Sequence, residues 1–173
     1  QLITAFQQEG IDYTGILYAG LMIKNGELKI VEFNARFGDP ETQVVIPRLE
    51  NDLIDIFMAM VAKELDKIEL KWKKESAVCV VLASGGYPGS YEKGKKITGL
   101  DNLVNERDFM VIHAGTKIGM NGDLLTNGGR VLGVVGMHQD LGQAIEYTYE
   151  KIKGIDFEGM YFREDIGFKA LKN

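Results

Sequence analysis

"VEFNARFGDPETQ", Val31 to Gln43, sets a strongly polar run directly against an apolar one, and its reading decides what the chain is. Ahead of it, "GILYAGLMI" (15–23), "KNGE" (24–27) and "LKIVEFNARF" (28–37) read as a β-hairpin, because Asn25-Gly26 suits the two positive-φ positions of a type I′ turn. Strand side chains alternate between faces. Val31, Phe33, Ala35 and Phe37 are therefore expected on a core face, and Glu32, Asn34 and Arg36 on the other, spaced about 6.5 to 7 Å apart. Glu and Asn offer the hard oxygen donors that suit Mg²⁺, which keeps waters and takes its remaining ligands from substrate phosphates. A neighbouring Arg can grip phosphate or carboxylate with two parallel hydrogen bonds. The same pattern also fits an ordinary solvated face of an antiparallel strand. The turn that follows, Gly38-Asp39-Pro40-Glu41, brings two more carboxylates to the end of that polar face, although Asp39-Pro40 also suits a plain turn.

Downstream, Asn51 or Asp52 is expected to cap a helix in which Leu53, Ile56, Phe57, Met60 and Val61 form one apolar stripe. The charged segment "DKIELKWKKE" (66–75) reads as a boundary. Beyond it, "SAVCVVLA", "DFMVIHAG" and "RVLGVVGM" read as strands, separated by the turns "SGGYPGS", "MNGD" and "TNGG". "QDLGQAIEYTYEKIKG" predicts a second helix with Asp140 as N-cap, Gln143 as capping-box partner and Gly154 as C-cap. The chain opens on "QLITAFQQEG", inside what reads as a helix and without Met or a cap, so it is expected to continue a longer sequence.

Composition narrows the function classes. Of the 173 residues, 45% are hydrophobic and 26% charged, which suits a folded soluble chain. A net charge of -5 supplies no basic field for nucleic acid or anionic lipid. No apolar run approaches the roughly 20 residues that span a bilayer, so a cytoplasmic address is expected. The lone Cys79 lies in an apolar strand run and reads as a buried thiol. His113 and His138 lack the Cys or acidic neighbours of a zinc site and read as packing or surface residues. Thr126–Arg130 reads first as a turn needing positive φ, and second as backbone N–H groups and a guanidinium offered to a phosphate.

The strings "YTGILYAGLMI", "VEFNARFGDPETQ", "SGGYPGSYEKG" and "TNGGRVLGVVG" resemble the C-terminal part of the glycinamide ribonucleotide synthetases, the phosphoribosylamine–glycine ligases of the ATP-grasp superfamily. "RFGDPE" is the specific part; biotin carboxylase and other ATP-grasp relatives share the Glu-x-Asn pair but resemble the chain poorly after it. The resemblance runs in register from end to end. It implies an α+β fold: the C-terminal part of an ATP-grasp domain (antiparallel sheet with helices) from Gln1 to Lys67, then a small β-rich C-terminal domain from Ile68 to Asn173.

It also implies an enzyme of purine synthesis that joins glycine to 5-phosphoribosylamine through a glycyl phosphate, while ATP becomes ADP and phosphate. Carried across by position, Glu32 and Asn34 match the family's ligands for Mg²⁺ (or Mn²⁺), Arg36 a catalytic group on the phosphates or acyl phosphate, and Asp39 and Glu41 substrate-binding residues. Gly20 stands where many ATP-grasp enzymes carry a further metal-binding carboxylate. The family's N-terminal domain, nucleotide-gripping strands and phosphate lid have no counterpart in these residues, so one wall of an active site is expected, inactive by itself. A non-catalytic folding or partner-binding module without nucleotide affinity is the alternative.

Overall fold

Asn25 (φ 52°) and Gly26 (φ 79°) make the tight turn that the sequence demands, and the first part of the fold is organised around it. In the computed structural model, residues 2–103 and 108–172 are described; Gln1, the first residue of the expected opening helix, lies outside them, as does Asn173. The chain forms two compact units. One comprises the residues up to Thr42 together with Leu49–Trp72; the other comprises Gln43–Arg48 and the residues from Lys73 onward.

The first unit begins with α1 (Leu2–Gln8), followed by the antiparallel pair β1 (Tyr18–Lys24) and β2 (Glu27–Asn34). Pairing runs from Lys24↔Glu27 at the turn to Gly20↔Glu32 and Tyr18↔Asn34 at the far end, with a register shift between Gly20 and Leu21 that leaves Val31 as the extra residue of a bulge. The one-turn helix α2 (Thr42–Val45) and a 3₁₀ turn (Ile46–Arg48) lead to α3 (Leu53–Val61). Asp52 caps α3, its carboxylate accepting from Ile54 N at 2.8 Å.

The core face expected of the hairpin is not covered. Val31 is 64% exposed and Phe33 43%, while Leu21, Met22, Ile23, Leu28 and Ile30 are exposed as well. The cause is architectural: these strands make a two-stranded sheet, and a hairpin buries apolar side chains only against a further strand or layer. The alternation also stops early, because β2 ends at Asn34 and Arg36 lies beyond it. Phe37 is half-buried, 6.3 Å between ring centroids from Phe57 of α3. On α3 the stripe holds for Leu53, Ile56, Phe57 and Met60, which are half-buried; Val61 faces solvent.

The second unit is built on an antiparallel sheet of order β4-β7-β3-β8, from β3 (Ser76–Ser84), β4 (Phe109–His113), β7 (Arg130–His138) and β8 (Met160–Tyr161). The strands β5 (Thr116–Ile118) and β6 (Leu124–Thr126) form a separate hairpin. Across β3 and β7 lies α4 (Leu141–Ile152), with Ala144, Ile145, Thr148 and Ile152 buried. Val78, Val80, Leu82, Ile97, Phe109, Val131, Leu132, Val134, Ile155 and Phe157 pack with them in the core. Each such side chain fully removed from water stabilises the fold by about 1.5–3 kcal/mol.

Three expectations need correction here. Cys79 is half-buried, because Val78 and Val80 alternate with it toward the core. The C-cap of α4 is Lys153, and Gly154 does not adopt positive φ. Gly128 and Gly129 avoid positive φ too; they are glycines because a Cβ on Gly129 would meet the Tyr87 ring at 2.1 Å and one on Gly128 would meet Gly115 Cα at 2.9 Å. Close approach, not backbone hand, selects glycine in "TNGGR". Among the described residues no helix is long and apolar enough to cross a membrane.

Asp140 caps α4 as expected, its Oδ1 accepting from Gln143 N at 2.9 Å. Asp140→Ala is expected to destabilise the second unit by about 1 kcal/mol, lowering the urea midpoint of α4 unfolding followed by circular dichroism. An unchanged midpoint would show that this cap carries no stability in solution.

Candidate functional site

The polar groups singled out in the sequence gather at the end of the hairpin remote from its turn, all within the first unit. Asn34 Nδ2 donates to Glu32 Oε1 at 2.9 Å, so the two side chains meet along one strand, as i and i+2 residues can. Both are accessible: Glu32 is exposed and Asn34 half-buried. Arg36 joins them less directly. Its Nη1 donates to the Phe37 carbonyl at 2.8 Å, which turns the guanidinium along the backbone.

The turn after the strand is closed by the Gly38 carbonyl, which accepts from both Thr42 N at 3.1 Å and Thr42 Oγ1. Asp39 and Glu41 stand on this turn, both exposed. Glu41 folds back over the buried Gly38, its Oε2 only 2.5 Å from where a Cβ on that glycine would sit. Hydrogen bonding to this carboxylate is the main cause that raises the Tyr18 phenol above its ordinary value, with smaller contributions from burial and from the charges of Glu41 and Glu32.

Sequence reasoning passed over Tyr18. An aromatic residue inside the apolar run "LYAGLMI" ordinarily signals packing, and only the register, which sets Tyr18 opposite Asn34, brings it to the polar end. The same register sets Gly20 opposite Glu32, where a Cβ would come within 3.0 Å of Glu32 Cγ. The bare position leaves room for the glutamate stem.

The donor set can be tested against a divalent cation. Glu32 carries carboxylate oxygens and Asn34 one amide oxygen, the amide nitrogen being the atom that meets Glu32 here, and among the described residues no cluster of three or more His, Cys, Asp and Glu forms a fuller cage. This fits a hard cation that takes most of its ligands from water and phosphate, and not one enclosed by protein. Elsewhere, His113 Nδ1 lies 3.2 Å from Thr116 Oγ1 and His138 Nδ1 accepts from Asp140 N, both on the surface. In the second unit Lys95 lies between Glu158 and Glu92, each at 2.8 Å, which raises the lysine well above its usual value and lowers Glu92.

Comparison with known proteins gives this arrangement its context. Residues 1–42, which contain the hairpin and its polar end, match the ATP-grasp (A) domain of phosphoribosylglycinamide synthetase, and residues 77–169 match the C domain of the same enzyme. The chain belongs to the phosphoribosylglycinamide synthetase family. A phosphoribosylamine–glycine ligase from Synechocystis is 52% identical over 169 residues, covering 96% of this chain and 40% of that protein. A bifunctional purine biosynthetic protein of Dictyostelium discoideum is 44% identical, covering 99% of this chain and 22% of its own length. The crystal structure of the Thermotoga maritima phosphoribosylamine–glycine ligase superposes with a TM-score of 0.79 at 35% identity, over 94% of this chain and 39% of that one. The chain therefore spans about two-fifths of the length of the ligases it matches.

Filling the space at Gly20 tests the geometry directly. Gly20→Val is expected to push the Glu32 stem off β1 and break the Asn34–Glu32 hydrogen bond. The Asn34 side-chain amide resonances should then move to the positions they take in Glu32→Ala. Amide resonances that stay at their original positions in Gly20→Val would show that Glu32 does not depend on the bare position.

Proposed function

We propose that this chain is the C-terminal segment of an ATP-dependent ligase that joins glycine to 5-phosphoribosylamine, giving glycinamide ribonucleotide, ADP and phosphate in cytoplasmic purine synthesis. The observation that carries the reading is the paired Glu32 and Asn34 at the end of a hairpin that continues into "RFGDPE". In this reading, residues 1–67 form the last part of the ATP-grasp domain and residues 68–173 the small C-terminal domain. The remaining partners are the upstream domains that grip the nucleotide.

Glu32 and Asn34 would hold Mg²⁺ or Mn²⁺, which when bound neutralises charge on the phosphates of ATP. Every other contribution comes from the chain. Arg36 swings its exposed guanidinium from the Phe37 carbonyl to the transferring phosphoryl group or to glycyl phosphate, stabilising negative charge as it develops. Asp39 and Glu41 present carboxylates to the ammonium end of glycine or to the attacking amine, fixing its direction of approach. Loss of the amine proton and expulsion of phosphate from the acyl phosphate then complete the amide. This division of labour leaves the isolated chain inactive, because the domains that grip the nucleotide lie upstream.

The exposed apolar strands of the first unit favour a second reading, in which the chain is only a folding or partner-binding module. One experiment separates the two. ADP release from Mg-ATP is measured with and without glycine and freshly generated phosphoribosylamine, on the chain alone and on the chain mixed with the upstream segment of a family member. Turnover that requires both substrates and the upstream segment, and falls by about a hundredfold or more in Glu32→Ala, is the expected result. Normal turnover with Ala at position 32 would return "VEFNARF" to a solvated strand face, and no turnover in the restored wild-type protein would favour the module.

A further inference from the structure

Three asparagines in the chain precede a glycine, Asn25, Asn121 and Asn127, and the fold treats them differently. A glycine in that place has no Cβ to keep its backbone nitrogen away from the asparagine side chain. Asn127 and Gly128 are held from both sides: Asn127 N donates to the Gly115 carbonyl at 2.7 Å, and a Cβ on Gly128 would meet Gly115 Cα at 2.9 Å. Asn121 and Gly122 are exposed, but their turn is closed by Gly122 N on the Gly119 carbonyl at 3.0 Å and by Gly119 N on the Asp123 carbonyl at 2.8 Å, and Asp123 is paired with Lys96. Asn25 and Gly26 have no such restraint. Both are exposed, nothing lies within 4 Å of a Cβ built on Gly26, and the ladder joins Lys24 to Glu27 across them, which leaves the Gly26 N–H without a ladder partner. They also close the free end of a sheet of only two strands, whose apolar side chains are exposed, and such an end opens at little cost.

We propose that Asn25 is a site of spontaneous modification that unfastens the hairpin: in the opened turn the Gly26 nitrogen attacks the Asn25 side-chain carbonyl, and the residue becomes isoaspartate. Water is the only co-reactant. A bond forms between Gly26 N and Asn25 Cγ, the Cγ–Nδ2 bond breaks, and ammonia leaves with the proton that Gly26 N gives up. Water then opens the five-membered imide. Its addition at Cγ yields aspartate with the main chain unchanged, whereas addition at the backbone carbonyl yields isoaspartate, whose main chain runs on through Cβ and Cγ. The second product is one backbone atom longer within a two-residue turn, and the type I′ geometry that Asn25 (φ 52°) and Gly26 (φ 79°) hold has no place for it. Because Lys24↔Glu27 begins the pairing that runs to Gly20↔Glu32, the lengthened turn releases the register that keeps Glu32 beside Asn34. None of this depends on the ligase reading.

The test ages the 173-residue chain in warm, mildly alkaline buffer and follows all three sites by peptide mass spectrometry. The Asn25 peptide is expected to gain about one mass unit and to split into aspartate and isoaspartate forms. It should do so about tenfold faster than the peptides holding Asn121 and Asn127, the ratio that a difference of about 1.4 kcal/mol in local opening gives. In the isoaspartate form, purified by chromatography, the Asn34 side-chain amide resonances are expected to leave their native positions. Asn25→Asp, which adds the charge but keeps the backbone, should leave them in place. Asn25→Gly accepts positive φ and has no side-chain carbonyl, so its Asn34 resonances should not drift on ageing. No conversion at Asn25, or conversion at Asn121 or Asn127 as fast as at Asn25, overturns the site. Native Asn34 resonances in the isoaspartate form overturn the link to register, as does equal drift in aged Asn25→Gly.

Discussion

The register of one hairpin governs everything at the polar end of the first unit. The Asn25-Gly26 turn fixes Lys24 against Glu27, and the pairing propagates from there, through one bulge, to Gly20↔Glu32 and Tyr18↔Asn34. A slip of one residue would send each side chain of β2 to the opposite face. Glu32 would then lose the open position across from it on β1. The two positive-φ residues at the turn thus control a group of side chains at the other end of the strands, and they do so through backbone hydrogen bonds alone.

The second unit depends on a different constraint, the burial of α4 against β3 and β7. Here the chain is self-sufficient: strands whose inward residues are fully buried, a capped helix, and glycines chosen where loops must touch. The contrast with the first unit is chemical and not only geometric. Its sequence is no less apolar, but the hairpin and α3 leave much of that surface in water, and among the described residues only Gly38 of that unit is buried. Side chains such as Ile23 and Val31 have the composition of a core without its enclosure.

Much of this architecture was legible in the sequence where the signal is local. Turn chemistry at Asn25-Gly26, the caps at Asp52 and Asp140, and the strands around Val80 and Val134 each follow from interactions spanning a few residues. The proximity of Glu32 and Asn34 was legible too, since strand periodicity alone puts them on one side. What escaped depends on partners distant in sequence. The exposure of Val31 and Phe33 is set by layers that the strand cannot specify by itself. Tyr18 enters the site through a pairing 16 positions away, and Gly129 is small because of Tyr87. The motif strings supplied the family, and the long-range geometry then supplied the contacts.

The short segment Gln43–Arg48 has a consequence for modularity. It packs with the second unit, where Lys73 N donates to the Arg48 carbonyl, Arg48 Nη2 donates to the Lys73 carbonyl and Gln43 Cγ lies 3.8 Å from a Cβ built on Gly133, yet the residues on either side of it, Thr42 and Leu49, belong to the first unit. The two units are interlaced along the chain, not strung in series. No single cut yields both intact, since division anywhere in the charged segment 66–75 strips the second unit of a strip of its own surface. Neither unit can therefore be excised from the sequence as one uninterrupted stretch.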